Sequence, residues 1–133
     1  LRYQCERELR EKLMRLQEGF LEANDGRRPL EWLMTRSYSE FARVFRGCLH
    51  LLESSEPRAD HEVVRRFCEL AGLDRTPFSR IESLTQEDGH LHEPAATLFA
   101  RYYEQLSKAV ETIDRIGKGQ QPCARPGSAP SPP

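Results

Sequence analysis

Phe41, Val44, Phe45, Cys48, Leu49 and Leu52 recur at i, i+3, i+4, i+7, i+8 and i+11, and no other feature of the chain restricts its fold as much. This spacing draws one apolar stripe along a helix, and only packing against other elements can satisfy it. In a strand the same residues would be divided between two faces. The run predicts a helix at the centre of the core. Ser37 and Glu40 stand in front of it as S-x-x-E. In that pattern a hydroxyl and a carboxylate satisfy the first free N–H groups, so the helix is expected to start at Ser37. Ser54-Ser55-Glu56-Pro57 is expected to end it.

Helical spacing recurs on both sides. Cys5, Leu9, Leu13, Leu16 and Phe20 step by 4, 4, 3 and 4 through a stretch rich in Glu, Arg, Leu and Gln, from about residue 2 to 23. The pairs Glu6–Arg10, Glu8–Lys12 and Glu11–Arg15 put opposite charges one turn apart on the wet side. Asn24-Asp25-Gly26 ends this helix, and Pro29 suits the first turn of a second, short one carrying Leu30, Leu33 and Met34. Asp60 is placed to cap a helix with Val63, Val64, Phe67, Cys68 and Ala71 inward, closed by Gly72. Asp74 or Thr76 caps a short helix with Phe78, Ile81 and Leu84. Residues 85–93 read as a polar loop, and Pro94 opens a last long helix bearing Leu98, Phe99, Tyr102, Leu106, Ala109, Val110, Ile113 and Ile116.

The expected fold is all-α, a compact bundle of five to six helices over residues 1–117. Residues 118–133, rich in Pro, Gly, Ser and Gln, contain no large apolar side chain and are expected to form a disordered tail. With 133 residues beginning at Leu1, the chain reads as a piece of a longer protein holding one domain. Cys5, Cys48, Cys68 and Cys123 have wide, irregular spacing, and the first three fall on apolar helix faces. They read as small hydrophobes in a reducing compartment, nuclear or cytoplasmic, rather than as a disulfide frame. No apolar run is long enough for a membrane span, and no signal-peptide pattern is present.

Formal charge is −1, from 20 basic and 21 acidic residues, which argues against a bulk electrostatic footprint for nucleic acid or anionic lipid. Only Lys12, Lys108 and Lys118 among the 20 basic residues are lysines, leaving 17 arginines. Arginine suits carboxylate and phosphate recognition at interfaces. Arg36, Arg43, Arg46 and His50 fall on an outward stripe of the central helix, with Arg27, Arg28, Arg65 and Arg66 in its neighbourhood; this stripe can receive an acidic or phosphorylated motif, or simply form a solvated face with Glu40 and Glu53. Leu30-Glu31-Trp32-Leu33-Met34 approximates the amphipathic box by which helices enter apolar grooves, with Trp32 turned to a second face as an interface anchor. Phe20/Leu21 and Tyr102/Tyr103 widen their stripes in the same way.

Cys68, Gly72, Leu73, Asp74, Phe78, Ser79, Arg80, Ile81 and Glu82 follow another pattern. A small residue precedes a glycine by four, an apolar and a capping residue follow, and a short helix comes next. The segment resembles the helix-turn-helix of phage-repressor-like DNA-binding domains over residues 68–82. The resemblance implies that Arg75, Thr76, Ser79 and Arg80 face a major groove. The sequence departs from the pattern at Pro77, inside the second helix, and in the acidic Glu82, Glu87 and Asp88 beside it.

No catalytic signature is present: no phosphate-cradling glycine-rich loop, no G-x-S-x-G and no H-E-x-x-H. His90-x-His92 with Asp88 and Glu93 falls short of a tetrahedral metal set and reads as a surface loop. The expectation is therefore a non-enzymatic domain without metal or cofactor. It would bind another protein, through a helix or short linear motif or through a second copy of itself, using Trp32, Arg36, Arg43, Arg46 and Tyr103. DNA binding through residues 68–82 is the alternative.

Overall fold

The computed structural model describes residues 2–24, 26–53, 59–84 and 93–117, and the regular elements in them are five helices. These are α1 (Arg2–Ala23), α2 (Arg27–Glu53), α3 (Asp60–Ala71), α4 (Thr76–Leu84) and α5 (Ala95–Gly117). The 85–92 loop, the break at 54–58, His90, His92, Cys123 and the 118–133 tail lie outside the described residues, as do the side chains of Leu52 and Ile116.

The sequence points to a short helix followed by a new start at Ser37, but α2 runs unbroken for 27 residues, about 40 Å at the usual rise. Ser37 is not a cap. It is buried inside the helix, and its Oγ lies 3.1 Å from the Met34 carbonyl and 2.9 Å from the Tyr102 hydroxyl. Thr35 likewise hydrogen-bonds back to the carbonyls of Glu31 and Trp32, each at 3.1 Å. No glycine or proline separates Met34 from Phe41, so nothing stops the backbone ladder, and the hydroxyls bond to it from the side. A second adjustment is smaller: the residue before α3 is Ala59, whose N–H donates to Glu62 Oε1 at 3.4 Å, while Asp60 lies within the helix and pairs with Arg46 instead.

The central position of α2 is as expected, since it packs against each of the other four helices. Phe41, Val44, Phe45, Cys48 and Leu49 are all buried along it. Phe45 stacks on Phe67 of α3 at 4.0 Å between ring centroids and meets the edge of Phe78 of α4 at 6.4 Å. Tyr102 of α5, fully buried, takes Phe41 and Phe78 in edge contacts. These edge contacts suit the ring quadrupoles, and the area buried makes this aromatic cluster the main apolar anchor of the bundle. Leu9 and Leu16 seat α1 on the same core, and Phe20 stacks on Phe99 of α5 at 4.6 Å. The stripe along α1 is thus consumed inside the bundle.

The α3–α4 turn forms as its sequence suggests. Gly72 adopts the left-handed conformation with φ 71°, and the Leu73 N–H reaches back to the Cys68 carbonyl at 2.9 Å, so orphan carbonyls at the helix end are satisfied. Asp74 Oδ1 accepts the Thr76 N–H at 3.0 Å and starts α4. Pro77 occupies the first turn, where no intrahelical partner is lost.

Candidate functional site

Because α2 is continuous, residues that the sequence divides between two helices share one phase. At about 100° per residue, Arg28, Trp32, Arg36, Ser39, Arg43, Arg46 and His50 fall within about 40° of a single line along it. All are exposed except Arg46, which is half-buried. The span from Arg28 to His50 is about 33 Å. The carboxylates of α2 within it, Glu31 and Glu40, fall about 80–100° off that line. The outer face of α2 is therefore a cationic ridge with one large aromatic ring near its N-terminal end.

Trp32 is 60 % exposed. The Arg36 guanidinium carbon lies 4.9 Å from its ring centroid, a cation–π contact that fixes the plane of the indole and still leaves most of the ring to solvent. Arg46 pairs with Asp60 of α3 at 3.0 Å, and Arg27, off the line, pairs with Glu31 at 2.8 Å. Arg28 and Arg43 enter no ion pair among the described residues. Four of the five proposed partner-binding residues (Trp32, Arg36, Arg43 and Arg46) are thus brought onto one ridge. The fifth, Tyr103, is engaged in the seam between α1 and α5, where it stacks on Phe99 at 6.2 Å and its hydroxyl meets Gln17 Oε1 at 3.4 Å. Among the described residues, the other large apolar side chains that are exposed are Met14 and Leu21, two turns apart on α1, and Leu51 at the end of α2.

The residues of the alternative site sit on α4 and on the turn that joins it to α3. Arg75, Thr76 and Arg80 are exposed and Ser79 is half-buried, while Phe78 and Ile81 face the core. The Thr76 N–H and hydroxyl are both taken by the Asp74 carboxylate, and these hydrogen bonds hold that carboxyl below its usual range. Over residues 60–84, Asp60, Glu62, Glu69, Asp74 and Glu82 outnumber Arg65, Arg66, Arg75 and Arg80 by five to four. Tyr38 of α2 donates a hydrogen bond to Glu82. Burial and this contact push its phenol above the normal range.

Near the C-terminal end of the ridge is a feature the sequence reading missed. An open cleft of about 230 Å³ lies between α1 and α2, lined by Gln4, Cys5, Glu8, Arg43, Gly47 and His50. Cys5, expected to be a buried hydrophobe, is only half-buried, and its thiol hydrogen-bonds the buried Cys48 thiol. The bond to Cys48 is the largest of the influences that bring Cys5 down to about 7. Cys48 is raised, by that bond first and then by burial. Cys68, buried without such a partner, is pushed up to about 12. Only the antiparallel packing of α1 on α2 brings positions 5 and 48 together, and no local pattern encodes it.

Among the described residues no three His, Cys, Asp or Glu side chains group as a metal site, and no helix is long and apolar enough to cross a membrane. Comparison with known families, curated proteins and solved structures finds no match for this chain.

Proposed function

We propose that this domain is a non-catalytic protein–protein interaction module of an intracellular protein, and that the outer face of α2 receives a partner helix or short linear motif. The observation that supports this reading is the shared phase of Trp32, Arg36, Arg43 and Arg46 on one ridge of a rigid helix. An aromatic anchor beside a row of arginines is the composition enriched at binding hot spots, and it sets the chemistry of the partner. The partner carries one apolar group to cover the indole and carboxylates or phosphates spaced along a helix or extended strand to meet the guanidinium groups. A second copy of this chain fits less well, because the same cationic ridge would have to face itself.

Trp32 is the only tryptophan in the chain, so its fluorescence reports on the ridge directly. Peptides selected from a random displayed library against the folded domain are expected to be acidic with one large apolar residue. Their binding should shift the Trp32 emission to shorter wavelength, and Trp32→Ala should weaken it by at least about 30-fold. Selected peptides that bind equally well to Trp32→Ala and to Arg36→Glu/Arg43→Glu would refute the assignment. Sedimentation velocity separates the homodimer: concentration-dependent association together with the same emission shift would make a second copy the occupant.

A second reading has its own observation in favour, the well-formed α3–Gly72–α4 turn with Arg75 and Arg80 outside. Against it stand the acidic excess of that unit and the capture of Thr76 by Asp74.

A further inference from the structure

We infer that Cys5 and Cys48 are a peroxide-oxidisable dithiol, with Cys5 the reacting thiol and Cys48 the resolving one, whose disulfide fastens α1 to α2 beside the cationic ridge. Three observations point the same way. The two thiols are hydrogen-bond partners across the helix pair. Cys5 forms part of the wall of a cleft open to solvent, while Cys48 is buried behind it. The small Gly47 keeps α1 close, since a Cβ built there would stand 3.8 Å from Cys5 Sγ. A reactive thiol of this kind needs access and a stabilised thiolate, and its resolving partner must be within reach. Arg43 and His50 also line the cleft, and Glu8 opposes the thiolate and raises Cys5.

The chemistry closes with hydrogen peroxide as the oxidant. The Cys5 thiolate attacks one peroxide oxygen, the O–O bond breaks, and hydroxide leaves to be protonated as water. Cys5 is then a sulfenic acid. The Cys48 sulfur attacks Cys5 Sγ, its proton joins the departing hydroxide as a second water, and the S–S bond forms. Two electrons pass from the two thiols to the peroxide. Cys48 is raised first by its bond to Cys5 and then by burial; conversion of Cys5 to a neutral sulfenic acid removes the first of these influences, while burial remains. Cys68, buried and raised, stays outside this chemistry.

Trypsin places the relevant cysteines on separate peptides, Tyr3–Arg7 for Cys5, Gly47–Arg58 for Cys48 and Phe67–Arg75 for Cys68. The full chain, reduced and then freed of reductant, is treated with a small excess of hydrogen peroxide; remaining thiols are alkylated before digestion. The expected result is a dithiothreitol-reversible link between Tyr3–Arg7 and Gly47–Arg58, with Cys68 recovered alkylated once the protein is denatured. Without peroxide, iodoacetamide should modify Cys5 in the folded chain at least about a hundredfold faster than Cys68, with a pH midpoint near 7. In Cys48→Ser, dimedone should trap Cys5 as a sulfenic acid; in Cys5→Ser, a milder change at a half-buried position, Cys48 should remain reduced. A link from Cys5 to Cys123, over-oxidation of Cys5 with no link, or a Cys48 that oxidises normally in Cys5→Ser would each overturn the assignment.

Discussion

If α2 is one helix, Ser37 is a buried interior residue whose hydroxyl serves Tyr102, and a double-mutant cycle can read this out. The Tyr102 side chain is fully buried, and its hydroxyl lies 2.9 Å from Ser37 Oγ. Ser37→Ala leaves that hydroxyl without its partner, at a cost of about 1–3 kcal/mol, offset by roughly 0.5 kcal/mol from the better helix propensity of alanine. Tyr102→Phe is milder, about 1 kcal/mol, because Ser37 keeps its bond to the Met34 carbonyl. The double mutant has no orphan at either end and should cost little more than Tyr102→Phe alone. The two changes should therefore fail to add by about 1–1.5 kcal/mol, which at a urea m-value near 1.5 kcal/mol/M is a midpoint difference of about 1 M from the additive expectation. Equilibrium urea unfolding of the four chains, followed by far-UV circular dichroism at constant m, measures it. Additivity within about 0.4 kcal/mol would mean that Ser37 works as an isolated cap, and the shared phase of Trp32 and the arginines would go with it.

Three further outcomes follow from the geometry. Gly72→Ala should destabilise by about 1–2 kcal/mol from left-handed backbone strain alone, since a Cβ there meets no atom within 4 Å; a neutral result would show that the turn has rearranged. Binding to random duplex DNA at physiological salt should be negligible; a steep salt-dependent affinity abolished by Arg75→Ala or Arg80→Ala would move the function to the helix-turn-helix. Oxidation to the Cys5–Cys48 disulfide should raise the urea midpoint, because closing a loop of about 44 residues is worth up to about 4 kcal/mol of chain entropy. A fall in stability would mean that the thiols must be pulled from their native positions to join.

The parts of this fold that rest on local periodicity were readable from the sequence alone. The stripe from Phe41 to Leu49 is buried, Gly72 takes the conformation that only glycine adopts without strain, and Glu6 meets Arg10 at 3.0 Å as an i, i+4 pair should. Ser37 misled because S-x-x-E has the same spacing at a helix start and in a helix interior. The discriminating signal was negative: no residue between Met34 and Ser37 breaks a helix. The ridge inherited part of that error: Arg36, Arg43, Arg46 and His50 read as one stripe, but Arg28 and Trp32 join its line only because α2 is continuous. The Cys5–Cys48 pairing was out of reach for another reason. It joins residues 43 positions apart through the register of two antiparallel helices, and neither stripe specifies that register by itself.

The continuity of α2 also supports the proposed choice between the two candidate surfaces. A helix that spans the whole domain and packs on four neighbours holds its outer side chains in fixed relative positions, so a partner meets a row of cations without ordering them first. The short α4 offers less. Pro77, Phe78 and Ile81 commit one side of its nine residues to the core, Asp74 occupies the backbone donor at its start, and Glu82 faces Tyr38. A phosphate approaching Arg75 or Arg80 must pass these carboxylates, whereas α2 carries none on the line from Arg28 to His50. The sign and spacing of charge therefore favour the ridge for any anionic partner, and Trp32 adds the apolar contact that a purely electrostatic nucleic-acid surface does not need. The cleft with Cys5 opens beside Arg43 and His50 on that same face, so a disulfide formed there fixes the position of α1 relative to the ridge and alters the edge that a long partner must cross.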